Sequence, residues 1–169
     1  MTASLPRAAS VSAPGSWPAG EAVASVTLAY ADRYLRRRKL TADGGLRLLL
    51  DLPRPRLLGE GDGLGLDDGR WVVVRAASEP VVEARVDNGQ ALARLAWHVG
   101  NRHTACEILP CALRVLDDAV LADMLAGLGA EIRRTHAPFS PEAGAYARAH
   151  GHGRPSAGES VTHGSGAAP

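Results

Sequence analysis

The chain has 169 residues, 46% of them apolar but only 4% aromatic, and its 19 basic and 18 acidic residues nearly cancel, which excludes a broad nucleic-acid-binding surface. Two cysteines are too few for a disulfide scaffold, and no stretch approaches the roughly 20 apolar residues of a membrane helix. We therefore expect a cytoplasmic protein that binds neither nucleic acid nor membrane, whose light cores favour association between chains.

Residues 1–22 are rich in Pro, Ala, Ser and Gly without a hydrophobic period, which predicts a disordered leader. Residues 23–78 are predicted to form a small all-β domain, because strand-like runs alternate with turn residues. The predicted strands are Val23–Tyr30, Leu46–Leu52 and Trp71–Ala76. The glycine-rich segment Pro53–Asp68 follows no phosphate-binding pattern and is predicted to be a loop. The basic run Arg36–Lys39 is interpreted as a solvated strand end, with a partner site as the alternative.

The second predicted domain covers residues 79–147 and begins with an apolar run, Val81–Val86. A helix is predicted from about Gln90 to Val99, with Asp87 as its N-cap and Gly100 as its stop signal. Two short strands parted by Pro110 come next.

Asp117 or Asp118 is predicted to cap a second helix, which Gly129 closes, and a final strand runs over about Ala130–Thr135. The order β, α, β, β, α, β predicts a ferredoxin-like fold, so that the whole chain is α+β. Residues 148–169 lose all periodicity and are predicted to be a flexible tail that contains histidines.

The histidines are unevenly placed, and two groups of them indicate metal binding. His103 follows the stop of the first predicted helix, where an imidazole is exposed enough to act as a ligand. His150 and His152 stand one residue apart in the tail, an arrangement suited to capturing nickel, copper or zinc. A two-fold axis near a single histidine would supply a matching second ligand from another chain. For His98 a packing role is favoured.

Three motifs identify a resemblance to a known family. The run from His98 to His103, His-Val-Gly-Asn-Arg-His, resembles the HxGNRH signature of the UreE family of urease accessory proteins. Leu121–Gly129 is similar to that family's second helix, and Pro138–Tyr146 is similar to its PFxPExGAY segment. The likeness covers about residues 23–152.

The resemblance implies a non-enzymatic nickel chaperone for urease maturation. It implies a homodimer, with a β domain resembling a peptide-binding module and a ferredoxin-like domain that binds metal and forms the dimer. Its metal ligands would be His103 at the interface, completed by His150 and His152, with Ni(II) as cargo and Zn(II) or Cu(II) as substitutes in vitro. The implied partners are the urease apoprotein and the urease accessory GTPase complex. A peripheral histidine pair found in some relatives is missing from Arg114–Ala119.

Two alternatives to a nickel chaperone stay open on the sequence. A metal-dependent hydrolase could be built around His98 and His103, although no HExxH arrangement or nucleophile elbow is present. A protein-binding accessory module with incidental metal binding is the other. Cys106 and Cys111 could join a zinc site with His103, but their apolar neighbours favour a role as small buried hydrophobes.

Overall fold

The first half of the chain forms a six-stranded sheet in the computed structural model, which describes residues 4–143. Its strands are β1 (Arg7–Ser12), β2 (Ala22–Leu28), β3 (Tyr34–Thr41), β4 (Arg47–Leu57), β5 (Gly63–Leu66) and β6 (Trp71–Ala76). The strand order is β2-β6-β5-β1-β4-β3. β1 runs parallel to β4, and β2 runs parallel to β6, while the other neighbours are antiparallel.

The six-stranded sheet curls, because the turn after edge strand β3 reaches the opposite edge strand, β2. The Asp43 amide donates to the Ser25 carbonyl at 2.8 Å, and the Asp43 carboxylate accepts a hydrogen bond from the Thr27 hydroxyl at 2.7 Å. Hydrogen bonds from the Ser25 and Thr27 hydroxyls to the Asp43 carboxylate lower the pKa of Asp43. The curl encloses an aliphatic core that includes Val26, Leu48, Leu50, Leu58, Leu64, Val72 and Val74.

The prediction of a disordered leader over residues 1–22 is wrong for β1. Ala8 is fully buried and lies between two strands, opposite Leu50 of β4 and Leu66 of β5. Most of the strand is alanine and serine, so no run of large apolar residues marks it. Trp17 is also buried.

The predicted loop Pro53–Asp68 is wrong at both ends. β4 continues to Leu57, and its two prolines, Pro53 and Pro55, fall where the β3–β4 register shifts, so they are not required as donors to the ladder. Gly63 and Gly65 belong to β5 instead of a turn. Two stacked indole rings, those of Trp17 and Trp71, lie against these glycines with their centroids 5.3 Å apart.

Gly63→Ala is expected to destabilise the first sheet, because a Cβ at this position would lie 2.4 Å from Cδ2 of Trp17. The indole would have to leave its place and give up its hydrogen bond to the Gly61 carbonyl. We expect the free energy of unfolding to fall by about 2 kcal/mol in urea denaturation. Gly20→Ala is the matched control, since a Cβ there meets nothing within 4 Å. Equal stability of the two variants would contradict this account of the glycine strand.

The second half of the chain confirms the predicted ferredoxin-like order. Its elements are β7 (Ser78–Arg85), α1 (Gly89–Gly100), β8 (Glu107–Leu109), β9 (Ala112–Leu116), α2 (Ala119–Gly127) and β10 (Glu131–Pro138). The antiparallel sheet has the order β10-β7-β9-β8. α1 packs over β9, and α2 packs over β7 and β10. The core beneath both helices includes Val82, Ala84, Leu95, Val99, Leu113, Val115, Ala122 and Leu125.

Capping side chains fix where both helices begin. The Asn88 side chain accepts a hydrogen bond from the Ala91 amide at 2.9 Å, so the predicted cap at Asp87 is off by one residue. The Asp118 carboxylate accepts from the Leu121 amide at 2.9 Å, which decides between the two candidate caps of α2. Gly129 ends the second helix with φ of +92°, a conformation that favours glycine.

The sheet face opposite the helices carries a network of ion pairs. Arg114 donates to Glu83 at 3.1 Å and to Glu107 at 3.0 Å, while Arg85 donates to Glu83 at 3.0 Å. Hydrogen bonds from Arg85 and Arg114 hold the pKa of Glu83 below its usual value. Such a network does not offer the apolar centre that stable protein interfaces use. Neither helix within residues 4–143 has the length and apolarity needed to cross a membrane.

Candidate functional site

His103 lies in a tight turn that continues the last turn of α1. The Asn101 amide donates to the Trp97 carbonyl at 2.9 Å, and the His103 amide donates to the Gly100 carbonyl at 2.9 Å. The His103 backbone is left-handed, with φ of +54°, which is uncommon for a residue other than glycine. The surrounding hydrogen bonds therefore hold His103 in this uncommon conformation. The imidazole it presents is exposed.

Trp97 and His98 occupy the last turns of α1 and differ in exposure. The Trp97 side chain is 64% exposed, although α1 buries Leu95 and Val99 against the sheet. The His98 ring is half-buried and packs edge-to-face on the Trp97 indole, with centroids 4.9 Å apart. An exposed indole therefore stands one helical turn from the turn that carries His103.

The other predicted ligands do not form a cluster with His103 in one described chain. Among residues 4–143, no group of three His, Cys, Asp or Glu side chains could hold a metal ion. His136 is exposed on β10. His150 and His152 lie outside the described residues. A complete site at His103 would therefore need ligands from another chain or from beyond residue 143.

The two cysteines have different surroundings. Cys106 is half-buried and packs against the core beneath the helices, and its burial raises the pKa of the thiol. Cys111 is exposed in the turn between β8 and β9, with φ of +55°. The interpretation of both cysteines as buried hydrophobes is therefore wrong for Cys111, because the apolar run that surrounds it is interrupted by this turn.

The segment after β10 runs back towards the His103 turn. Phe139 is fully buried, and the Ser140 amide donates to the Glu107 carboxylate at 3.3 Å. The Glu142 amide donates to the Cys106 carbonyl at 2.8 Å. The chain therefore reaches residue 143 beside the loop that follows His103. No pattern in the sequence indicated this return.

Comparisons with known proteins identify the family of the chain and agree with this fold. A family model described as the C-terminal domain of the UreE urease accessory protein matches residues 79–166. The model of its N-terminal domain matches residues 3–77 and so includes β1. The chain belongs to the UreE family of urease accessory proteins.

Relatives named "Urease accessory protein UreE" are similar over most of the chain. The protein of Azorhizobium caulinodans is 50% identical over 134 residues, which cover 78% of this chain and 64% of the relative. That of Mesorhizobium japonicum is 45% identical over 146 residues, covering 86% and 74%. That of Rhodobacter capsulatus is 46% identical over 140 residues, covering 83% and 86%. These UreE proteins are named as accessory proteins and not as enzymes, which agrees with the expected non-enzymatic role.

Proposed function

We propose that this protein is a nickel chaperone of urease maturation that binds Ni(II) between two copies of the chain. The observation that carries the proposal is the exposed imidazole of His103, held in a hydrogen-bonded turn one helical turn from the exposed Trp97. Two copies related by a two-fold axis would present two such imidazoles. Histidine nitrogen suits nickel, copper and zinc alike, so zinc or copper would occupy the same ligands in vitro.

Trp97 supports a homodimer built around the end of α1. Large aromatic residues are enriched at the centres of protein interfaces, and 64% of this indole is left exposed. Ile108 of β8, 44% exposed, adds apolar surface on the strand that follows the His103 turn. A partner chain covering these side chains would bring its own His103 close to the two-fold axis.

His150 and His152 are proposed to complete the coordination. His150 follows Glu142 by eight positions, and an extended chain of that length spans up to about 28 Å. Since Glu142 is bonded to Cys106, three residues from His103, such a span reaches the His103 turn. A site assembled from separate segments suits a carrier, because a closed structural site would hold its metal too tightly for delivery.

A protein-binding accessory module with incidental metal binding is the second candidate, favoured by the basic edge of the first sheet. Arg36–Lys39 lie within edge strand β3 and not at a strand end, which corrects the sequence interpretation, and all four residues are exposed. Arg38 is paired with Asp32 at 2.8 Å. Both candidates would work in the cytoplasm with the urease apoprotein and the accessory GTPase complex.

Removing the proposed ligands separates the two candidates. A variant with His103→Ala, His150→Ala and His152→Ala is expected to keep its binding to the accessory GTPase complex but to lose urease activation at limiting nickel. His136→Ala is the control, because this exposed histidine lies on β10 and belongs to no proposed site. Urease activity would be measured in cells lacking the native protein. Full activation by the triple variant would favour the protein-binding module over the carrier.

A further inference from the structure

Arg33 is a buried cation that connects the two halves of the chain. Its side chain comes from the turn before β3 and is only 1% exposed. Nη2 of Arg33 donates a hydrogen bond to the backbone carbonyl of Phe139, 106 residues away in sequence. The Arg33 carbonyl accepts from the Leu58 amide at 2.9 Å, which fixes the residue in the first sheet.

Tyr30 completes the same junction. Cζ of Arg33 lies 5.4 Å from the centroid of the Tyr30 ring, within the range of a cation–π contact. The Tyr30 ring packs edge-to-face on Phe139 at 5.2 Å, and the Tyr30 amide donates to the Glu79 carboxylate at 2.7 Å. We call these four residues, Tyr30, Arg33, Glu79 and Phe139, the Arg33 clasp.

The segment held by the clasp is in contact with the loop that follows His103. Beyond Phe139, the Ser140 amide donates to Glu107 and the Glu142 amide donates to Cys106. Thr104 and Ala105, the two residues directly after His103, line one open cleft of about 330 Å³ together with Tyr30 and Phe139. The loop after His103 is therefore hydrogen-bonded to a segment that Arg33 holds in place.

A role in packing alone would not call for arginine at this position. Burial lowers the pKa of the guanidinium, opposed mainly by the charge of Glu79, and Nε has no hydrogen-bond partner among residues 4–143. Apolar residues of similar volume often replace buried charges without loss of stability. The directed hydrogen bond to the Phe139 carbonyl is what an apolar side chain could not supply.

We propose that Arg33 is a positioning residue for the metal site. Through Phe139 and the segment to Glu142, it holds the loop after His103 in the conformation that presents the imidazole. The inference rests on the proposed role of His103 as a nickel ligand, and it deepens that role by adding a residue of the N-terminal sheet. Groups that orient metal ligands typically change metal affinity by about 10- to 100-fold when they are removed.

The test compares the full-length chain with Arg33→Met and Arg38→Met. Arg33→Met keeps an unbranched apolar side chain but removes the donor to Phe139, and we expect nickel affinity in calorimetry to fall by about tenfold. Amide hydrogen exchange, measured without metal, should speed up at Ser140 and Glu142, whose amides donate to Glu107 and Cys106. Arg38→Met should match the parent in both, since Arg38 is exposed and pairs with Asp32. Arg33→Lys restores one donor and should recover part of the nickel affinity.

Unchanged nickel affinity in Arg33→Met would overturn the proposal, as would a tenfold loss with exchange at Glu142 unchanged. An equal loss in Arg38→Met would also overturn it, because the effect would then be one of net charge. If Arg33→Met is not folded, Arg33→Lys is judged by the same two readouts. A parallel His103→Ala sample tests the underlying assumption separately: nickel binding equal to the parent in that sample would refute His103 as a nickel ligand, and with it the proposed site between two chains.

Discussion

Replacing His103 with alanine is expected to remove high-affinity nickel binding. If the site is formed by one His103 from each of two chains, the substitution deletes two ligands at once. The nickel affinity should fall by more than about 100-fold, since removing even a group that only orients a ligand lowers metal affinity by about 10- to 100-fold. Calorimetric titration of purified protein with Ni(II) measures this loss directly. The fold should survive, because the side chain is exposed and alanine removes no buried contact.

His136→Ala is the matched control for this experiment, since it deletes an exposed histidine from β10 while leaving the His103 turn intact. We expect it to bind nickel as the parent does. If His103→Ala kept the parent's affinity, the ligands would have to be sought among the tail histidines or the cysteines. The chaperone role would then rest on family membership alone.

Replacing Trp97 with glutamate is expected to convert the proposed dimer into monomers. The substitution places a charge where an apolar interface centre is proposed, and loss of a central tryptophan typically costs at least about 2 kcal/mol, or roughly 30-fold in the dimer dissociation constant. Analytical ultracentrifugation over a range of protein concentrations measures that constant. Nickel affinity should fall with dimerisation, because each monomer would offer only one His103.

Val120→Glu is the control for Trp97→Glu. It tests whether a charge dissociates the dimer only on α1 or at any exposed apolar residue. Val120 is 76% exposed on α2, the other helix of the same domain. The Val120→Glu substitution should leave the mass of the assembly unchanged. Dissociation by Val120→Glu together with an intact Trp97→Glu dimer would move the interface to α2 and refute the proposed geometry.

The ferredoxin-like half could be predicted from the sequence because its signals are local. Both helices show apolar residues at helical spacing, each has a capping side chain within three residues of the amide it accepts from, and Gly129 marks an end by its backbone conformation. One of the two predicted N-caps is wrong, Asp87 in place of Asn88. The error is one residue, because both adjacent side chains can accept a hydrogen bond.

The first sheet could be predicted only in part, because its missed strands use residues that carry no strand signal. β1 buries alanine between two strands, β5 uses glycine beneath two indole rings, and β3 shows a run of cations along an exposed edge. Each choice depends on a neighbour distant in sequence. Pattern reading along the chain cannot supply that information.

The candidate site also has one part that local sequence signals predict and another that depends on contacts distant in sequence. His103 could be predicted, because a helix stop and a resemblance both lie within six residues of it. Arg33 could not, since its hydrogen-bond partner, the Phe139 carbonyl, is 106 residues away and any residue type provides such a carbonyl. The contact between Glu142 and Cys106 is likewise made by backbone atoms that no side-chain pattern indicates.

Native mass spectrometry of the parent protein at limiting Ni(II) tests the central claim most directly. A metal held between two His103 residues should give a dominant species of two chains and one nickel ion, and the metal-loaded single chain should be nearly absent. The same spectrum of His103→Ala should show dimers without bound nickel. A dominant species of one chain with one nickel ion in the parent would contradict the interfacial carrier.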